Sequence, residues 1–187
     1  AAALGYARET QRSPLSHIRG LTLREAGTHL VLDATTLANL EVFQARDGGR
    51  RGSLLAVLDR TLTAAGGRLL RDWLRRPLRD PVAITERLHA VGELVDSPAA
   101  RERLAERLCR IADLERLLGR AVLATLLPRE AAALRDSLGE APWLLGELGA
   151  TTAGLLCDLA ATDPQSPLCG ELERTLTEIL VADKRST

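Results

Sequence analysis

From Ser53 onward, apolar residues recur three and four positions apart, the spacing that places them on one face of an α-helix. The breaks between these runs carry residues that start helices. Ser53 and Thr63 offer side-chain oxygens to free backbone N–H groups, while Asp80 and Ser97 each precede a proline. The pattern predicts amphipathic helices that begin after these four residues. Pro77, which lacks a backbone N–H, is predicted to end the second helix.

The later helices differ in length. The longest is predicted over residues 98–123, because an apolar stripe runs through that whole span. A further helix is predicted to start at Pro128 and to end near Gly139. Residues 143–159 predict short or irregular helices, since glycines interrupt them, and a last helix is predicted to follow Ser166. The helix after Asp80 carries four apolar residues on one face: Ile84, Leu88, Val91 and Val95.

The chain ahead of Ser53 follows another pattern. Residues 30–32 and 40–43 are short apolar runs, β-branched in part, with a polar segment between them. Such runs are typical of a small β-ribbon. The predicted fold class is therefore mainly α, a multi-helix domain with a small β element near the N-terminus.

Composition excludes several classes of protein. Basic and acidic residues number 25 each, so net charge gives no reason to prefer nucleic acid or an anionic membrane. No apolar run approaches the roughly 20 residues that cross a bilayer. The three cysteines form no Cys-x-x-Cys pair, which argues against a zinc site or a disulfide framework and favours a reducing, cytosolic setting. Methionine is absent, so we expect the chain to be a fragment of a longer protein.

The sequence offers no constellation for catalysis, and we expect no catalytic, cofactor-binding or metal-binding residue. The one lysine, Lys184, does not follow the glycine pattern of a phosphate-binding loop. The three histidines have no carboxylate or cysteine at triad or metal spacing. Asp113 and Glu115 lie two positions apart on the predicted long helix, so we expect that they cannot face one site.

Two basic segments leave alternatives open. The Gly48–Gly52 segment could contact a phosphate or form a solvated turn, and the turn is preferred. Arg68, Arg71 and Arg75, with Arg79 close behind, could line one helix face that meets DNA phosphates or an acidic neighbouring domain. The simpler interpretation is a solvated helix face.

Three stretches together resemble MutS-type mismatch-repair proteins, over about residues 20–138. Residues 30–41 are similar to the family's LDxxTxxNLEL segment, and residues 58–78 to its TxTxxGxRxLxxWLxxPL run. Residues 113–120 resemble its DLERxxxR element. The residues that match these motifs are predicted to have structural roles: Asp33, Asn39, Thr63, Gly66, Arg68, Trp73, Pro77 and Arg116. If Trp73 is a buried anchor, its replacement by alanine should cost about 3–5 kcal/mol.

The resemblance implies a place within a larger protein. Residues 1–17 would be the end of a connector domain, and residues 18–187 the first part of a core or lever domain that precedes an inserted DNA clamp. The parent would be a dimeric, cytoplasmic bacterial protein that recognises mismatched double-stranded DNA and uses ATP and Mg²⁺ in another domain. The family's Phe-x-Glu mismatch reader is not matched at Phe43. No DNA-contacting residue can be assigned.

The function predicted from this resemblance is a non-catalytic lever, in which a long stiff helix passes displacements between distant sites. Two other hypotheses stay open at this point: a free-standing helical adaptor for protein partners, and a basic helical module that binds DNA alone. If helices outside the chain complete the core domain, we expect exposed apolar surface or self-association.

Overall fold

The computed structural model describes residues 10, 27–161 and 174–177. Within these residues the chain is mainly helical, as predicted. Residues 174–177 are helical as well, whereas the predicted helix start at Ser166 lies outside the described residues. The helices before these are α1 (Ala34–Asn39), α2 (Leu54–Leu58), α3 (Ala64–Arg75), α4 (Pro81–Asp96), α5 (Pro98–Leu108), α6 (Leu114–Val122), α7 (Pro128–Gly149) and α8 (Gly154–Ala160).

Local hydrogen bonds explain where several helices begin. The Ser53 hydroxyl accepts the Ala56 N–H at 3.2 Å, and the Thr63 hydroxyl accepts the Gly66 N–H at 3.0 Å. The Asp80 carboxylate accepts the N–H of the second residue of α4 at 3.1 Å. The predicted starts of α2, α3 and α4 are therefore confirmed. The start of α5 is also confirmed, although Ser97 makes no side-chain capping bond there.

The predicted β-ribbon is wrong, since the described residues contain no strand and show only an isolated bridge between His29 and Leu78. The Asp33 carboxylate accepts the Thr36 N–H at 2.6 Å and starts α1 between the two runs that were expected to pair. Residues 40–43 lie in the turn after α1. A local cap, made within three residues, is favoured here over pairing between the two short segments.

The predicted long helix over residues 98–123 is also wrong. Helix α5 ends at Leu108 and α6 starts at Leu114. In the segment between them, the Ala112 N–H donates to the buried Ser137 hydroxyl at 3.0 Å, and the Asp113 carboxylate accepts the Arg116 N–H at 3.4 Å. These contacts use backbone groups that a continuous helix would pair internally. The apolar stripe persists across the break, so periodicity alone could not reveal it.

Helix α7 is longer than predicted, because it continues beyond Gly139 and through Pro142 to Gly149. Contacts with α5 support this second half. The Arg107 guanidinium lies 4.6 Å from the centroid of the Trp143 ring and donates to Glu140 at 2.9 Å. The prediction of short or irregular helices over residues 143–159 is therefore wrong for residues 143–149, which continue α7, whereas α8 is short, as predicted. Tertiary contacts override the weak helix preference of proline and glycine here.

The buried core of the described residues lies where α6 and α7 meet, and comprises Leu117, Ala131, Leu134 and Leu176. A second buried group, Val42, Ser53 and Leu55, lies near the start of the chain. Helix α3 contributes no buried residue, and α4 only Ala90. The apolar face predicted on α4 is largely exposed, with Leu88 at 62% and Val91 at 57%. No described helix has the length and apolar character needed to cross a membrane.

Candidate functional site at the contact of α3 with α6

A three-residue ionic cluster connects α3 to the start of α6, and we call it the Arg68 cluster: Arg68, Asp113 and Glu115. The two terminal nitrogens of Arg68 donate to the two carboxylate oxygens of Asp113 at 3.0 and 2.8 Å. One of these nitrogens also lies 2.6 Å from a carboxylate oxygen of Glu115. A guanidinium held by two parallel hydrogen bonds is fixed in both distance and orientation.

Both acidic residues reach the same guanidinium, so the expectation that Asp113 and Glu115 cannot face one site is wrong. That expectation required both residues to lie within one helix. Asp113 instead precedes α6 as its N-cap, and Glu115 lies in the first helical turn. The non-helical backbone at an N-cap turns its side chain back toward the helix terminus, where it meets residues of the first turn.

The charges in the cluster stabilise one another. The hydrogen bonds from Arg68 lower the pKa of Asp113, and the bond from the Arg116 N–H and the charges of both arginines lower it further. Hydrogen bonding to Asp113 likewise raises the pKa of Arg68. The Asp113 side chain is 22% exposed, whereas those of Arg68 and Glu115 are 47% and 73% exposed. The Asp113 carboxylate is therefore the most enclosed group of the cluster.

The first turn of α3 positions Arg68, and two motif residues lie in this turn. A Cβ atom added at Gly66 would lie 3.0 Å from the Thr63 hydroxyl oxygen, which is the oxygen that caps the helix. The absence of a side chain at Gly66 therefore leaves the cap undisturbed. Arg68 follows two residues later, at a fixed angle around the helix axis.

Trp73 does not lie in a buried core, as its side chain is 39% exposed in the part of the chain that the structure describes. The Arg87 guanidinium of α4 stacks on its ring, 3.8 Å from the centroid. An open groove surrounds this pair, and we call it the α3–α4 groove. The residues that line it are Trp73, Pro77, Leu78, Ile84, Arg87, Leu88 and Val91.

Pro77 has a second role at the edge of the groove. Its carbonyl accepts the Leu30 N–H at 2.8 Å, and the Arg79 N–H donates to the Thr28 carbonyl at 3.1 Å. These bonds fix the segment after α3 against the segment before α1. Because proline cannot donate, the bonding at this position uses its acceptor only.

The remaining motif residues lie apart from one another. Asn39 is exposed at the end of α1 and lines an open depression that includes Phe43 and Arg75. The Arg116 backbone joins the Arg68 cluster through its bond to Asp113, while its guanidinium lies 4.0 Å from Glu130. The structure thus brings together residues of the second and third motifs, and leaves Asp33 and Asn39 of the first motif elsewhere.

The basic helix face predicted on α3 is divided among several contacts. Arg68 belongs to the cluster, and the Arg75 guanidinium lies 5.5 Å from the Phe43 ring centroid. Arg71 and Arg79 are exposed. The Gly48–Gly52 segment forms a turn in which Gly48 and Gly52 have φ angles of +79° and +87°, a conformation that favours glycine.

Sequence reasoning missed a second long-range contact, made by Glu93 of α4. Its two carboxylate oxygens accept the Thr152 and Ala153 N–H groups at 2.7 and 2.6 Å, just before α8. The hydrogen bond from the Thr152 backbone lowers the pKa of Glu93, and the bond from Ala153 contributes. The partners are 59 and 60 residues away, so no local motif signals the contact.

The elements and contacts together define a mainly helical structural domain, in which ionic side chains join one helix to another. Among the described residues, no group of three or more histidine, cysteine or acidic side chains could hold a metal ion. The chain belongs to the MutS domain III family, whose model matches residues 35–187. The predicted resemblance to MutS-type proteins is therefore confirmed.

Curated relatives agree with this family. The chain is 47% identical over 142 residues to the DNA mismatch repair protein MutS of Symbiobacterium thermophilum, a match that covers 75% of the chain and 16% of the relative. It is 46% identical over 162 residues to the MutS protein of Anaeromyxobacter dehalogenans strain 2CP-1, covering 86% and 18% respectively. For the MutS protein of Anaeromyxobacter sp. strain Fw109-5, the identity is 43% over 180 residues, covering 95% and 20%. The chain therefore spans less than a quarter of the length of these relatives.

Proposed function

We propose that this chain acts as a non-catalytic core or lever segment of a MutS-type mismatch-repair ATPase. In this role it would link a DNA-binding part and an ATPase part that belong to other segments of the parent. The domain limits follow the sequence-based prediction: residues 1–17 as the end of a connector, and residues 18–187 as the first part of the core. Family membership and the small share of each relative that the chain covers support the proposal.

The observation that carries the proposal is the exposed apolar face of α4. Leu88, Val91 and Val95 are 62%, 57% and 58% exposed, at the spacing of a face that a helix normally buries. Burying such side chains is favourable by about 25 cal/mol per Å² of apolar surface. Contiguous apolar surface of this kind typically marks an interaction site. We infer that other segments of the parent cover this face.

The parent would bind mismatched double-stranded DNA, use ATP and Mg²⁺ in its ATPase domain, act as a dimer and work in the bacterial cytoplasm. These properties follow from the family resemblance rather than from residues of this chain. The chain itself is proposed to hold no cofactor and to contribute structural contacts only. Asp33, Asn39, Thr63 and Gly66 would maintain local structure in this role.

A displacement could not pass through this segment along one long helix, because α5 and α6 are separate helices. Displacement would instead pass between short helices through their packing and ionic contacts. Allosteric coupling of this kind requires at least two discrete arrangements of the same elements. The break between Leu108 and Leu114 and the Arg68 cluster beside it are places where such arrangements would differ.

The experiment compares two valine-to-aspartate variants in the full-length parent. Val91→Asp places a charge on the apolar face of α4, and Val122→Asp places one at an 85% exposed position at the end of α6. We expect Val91→Asp to retain mismatched-DNA binding and basal ATP hydrolysis while losing most of the change in ATPase rate that DNA causes. Val122→Asp should keep that change. If the correctly folded full-length Val91→Asp variant shows the normal change in ATPase rate on adding DNA, the proposal is contradicted.

The free-standing adaptor predicts a different result for the same face. If α4 binds separate proteins, the Val91→Asp parent should couple DNA to ATP hydrolysis normally and lose a partner in pull-down experiments. The exposed face alone is compatible with both functions, and the coupling measurement separates them.

A further inference from the structure

We propose that the Arg68 cluster is an ionic latch that fixes the orientation of residues 27–79, the N-terminal body, relative to residues 80–161, the helical body. The latch closes when Arg68 is bound by Asp113 and Glu115. It opens when that attraction is screened or removed. The inference concerns this chain alone and does not depend on the proposed coupling function.

Each body has buried residues of its own. In the N-terminal body, Ser53 and Leu55 are 0% and 1% exposed. In the helical body, Leu117 and Leu134 are 2% and 1% exposed. Helix α3, which carries Arg68, contributes no buried residue to either group. The two bodies therefore do not share one continuous buried core in the part of the chain that the structure describes.

The boundary between the bodies is an open interface. The α3–α4 groove separates Trp73 on one side from Leu88 and Val91 on the other, and all three side chains are substantially exposed. Arg87 bridges the groove at one point by stacking on Trp73. The Arg68 cluster bridges the boundary at another point with three short ionic contacts. An interface with little apolar burial depends strongly on its polar contacts.

Charge is distributed so that the bodies attract one another. Residues 27–79 carry 9 arginines and 5 acidic residues, whereas residues 80–161 carry 9 arginines and 13 acidic residues. The screening length falls from about 10 Å in 0.1 M salt to about 3 Å in 1 M salt. Attraction between the half-exposed groups of the cluster therefore weakens as salt is added. Salt concentration thus acts on the latch without any change of sequence.

The latch also affects the secondary structure beside it. One carboxylate oxygen of Asp113 accepts hydrogen bonds from both the Arg68 guanidinium and the Arg116 backbone N–H, which lies in the first turn of α6. Opening the latch frees this carboxylate to move, which loosens the first turn of α6. A change in body orientation is thereby connected to the segment between α5 and α6.

The experiment measures the distance between the bodies by pulsed electron paramagnetic resonance on the labelled 187-residue chain, diluted into an excess of unlabelled chain so that self-association adds no distances between molecules. Spin labels replace Arg60 and Arg129, which are exposed residues of the N-terminal and helical bodies. The three natural cysteines are replaced by serine. The probe of the latch is Arg68→Gln, and the matched control is Arg71→Gln, an exposed arginine one turn away on α3. Each protein is measured in low salt and in about 1 M NaCl.

We expect the 187-residue chain without a latch substitution, and its Arg71→Gln variant, to show one narrow distance distribution in low salt. In both proteins this distribution should broaden in high salt. Arg68→Gln should be broad in both solutions. A narrow distance distribution for Arg68→Gln in low salt would overturn the latch proposal. So would a distribution of the unsubstituted 187-residue chain that salt leaves unchanged.

Two further variants separate the latch from the helix cap. Asp113→Asn keeps a good N-cap residue but removes the charge, so we expect a broad distance distribution with normal helix content. Glu115→Gln leaves the Asp113 bonds in place and should give a distribution of intermediate width. If Arg68→Gln fails to fold, the test rests on these two variants and on the salt titration of the unsubstituted 187-residue chain. Narrow distance distributions that do not change with salt in these proteins would exclude the latch.

Discussion

The guanidinium of Arg68 on α3 donates two hydrogen bonds to the carboxylate of Asp113, which lies 45 residues further along the chain. These residues belong to the second and third of the motifs by which the sequence resembles MutS-type proteins. Their pairing gives the two motifs a shared physical basis, since each supplies one half of a contact. Because Asp113 also caps α6, the contact connects the position of α3 to the start of another helix.

The first prediction concerns the stability of the Asp113→Asn variant as a function of pH. The bonds from Arg68 lower the pKa of Asp113 in the folded chain, so the folded state binds this proton less readily than the unfolded state. The resulting stabilisation is present above the ordinary aspartate pKa and disappears as pH falls through the lowered value. Asp113→Asn should therefore be less stable than the parent at neutral pH, and the difference should shrink in acid.

Urea unfolding at neutral and acidic pH measures this difference. Asp136→Asn serves as the control, because its carboxylate is 63% exposed and pairs with the adjacent Arg135. The control should unfold like the parent at both pH values. A stability deficit of Asp113→Asn that stays constant down to strongly acidic pH would contradict the assignment.

The second prediction compares neighbouring leucines of α6. Leu117 is 2% exposed in the core, whereas Leu118, about 100° further around the helix axis, is 43% exposed. Replacing a buried leucine with alanine removes apolar contacts and leaves a cavity, so Leu117→Ala should lose about 2–5 kcal/mol of unfolding free energy. Leu118→Ala should lose about 1 kcal/mol or less. Equal losses in chemical denaturation would show that the core is placed incorrectly.

The third prediction tests the segment between α5 and α6. Ser137 is 1% exposed and its hydroxyl accepts the Ala112 N–H, so Ser137→Ala leaves a partly buried donor without this partner. The expected loss of unfolding free energy is about 1–3 kcal/mol. Thr85→Ala removes an exposed hydroxyl that donates to the Pro81 carbonyl, and water can replace that bond. Thermal unfolding measures the difference. A melting temperature of Ser137→Ala that is no lower than that of Thr85→Ala would disprove the role of Ser137.

Local chemistry explains which parts of the fold could be predicted. Ser53, Thr63 and Asp80 make their capping bonds two or three residues away, so the sequence around each one contains the whole signal. The break before Asp113 was missed because its cause includes Ser137, 25 residues away from Ala112.

The candidate site could not be predicted from the sequence for the same reason: its residues lie far apart along the chain. Arg68 was singled out as a motif residue with a structural role, but its acidic partners could not be identified before α6 was known to start at Leu114. Trp73 was expected to be a core anchor because it lies in the WLxxPL motif, among apolar residues at helical spacing. In the structure it instead lines the open α3–α4 groove and stacks with Arg87, 14 residues further along the chain, a contact that no local motif signals.

The fourth prediction concerns the apolar face of α4 in the isolated chain. With Leu88 and Val91 exposed, the 187-residue chain should bind the dye ANS and should sediment with a concentration-dependent mass. The double variant Leu88→Ser with Val91→Ser should lower both signals and leave the helix content unchanged. A monodisperse monomer that binds no ANS would refute this prediction, which is also the one made from the sequence.

The fifth prediction concerns Glu93, which holds the start of α8 from a distance. Its carboxylate accepts two backbone N–H groups, at Thr152 and Ala153, and a glutamine side chain has a single acceptor oxygen to replace it. Glu93→Gln should therefore increase hydrogen exchange at these two amides and through α8, while exchange at α6 stays as in the parent. Glu102→Gln, at an exposed position of α5, is the control and should change neither region.

Acid provides an independent test of the same contact. The pKa of Glu93 is lowered by the bonds from Thr152 and Ala153, so their protection should persist at neutral pH and decline as pH falls through that lowered value. In Glu93→Gln, the ratio of opened to closed α8 should be nearly independent of pH over this range, after correction for intrinsic exchange. If the parent and Glu93→Gln show the same protection of α8 at neutral pH, the carboxylate does not hold this helix. In that case the packing of the buried Leu156 must hold α8 in place.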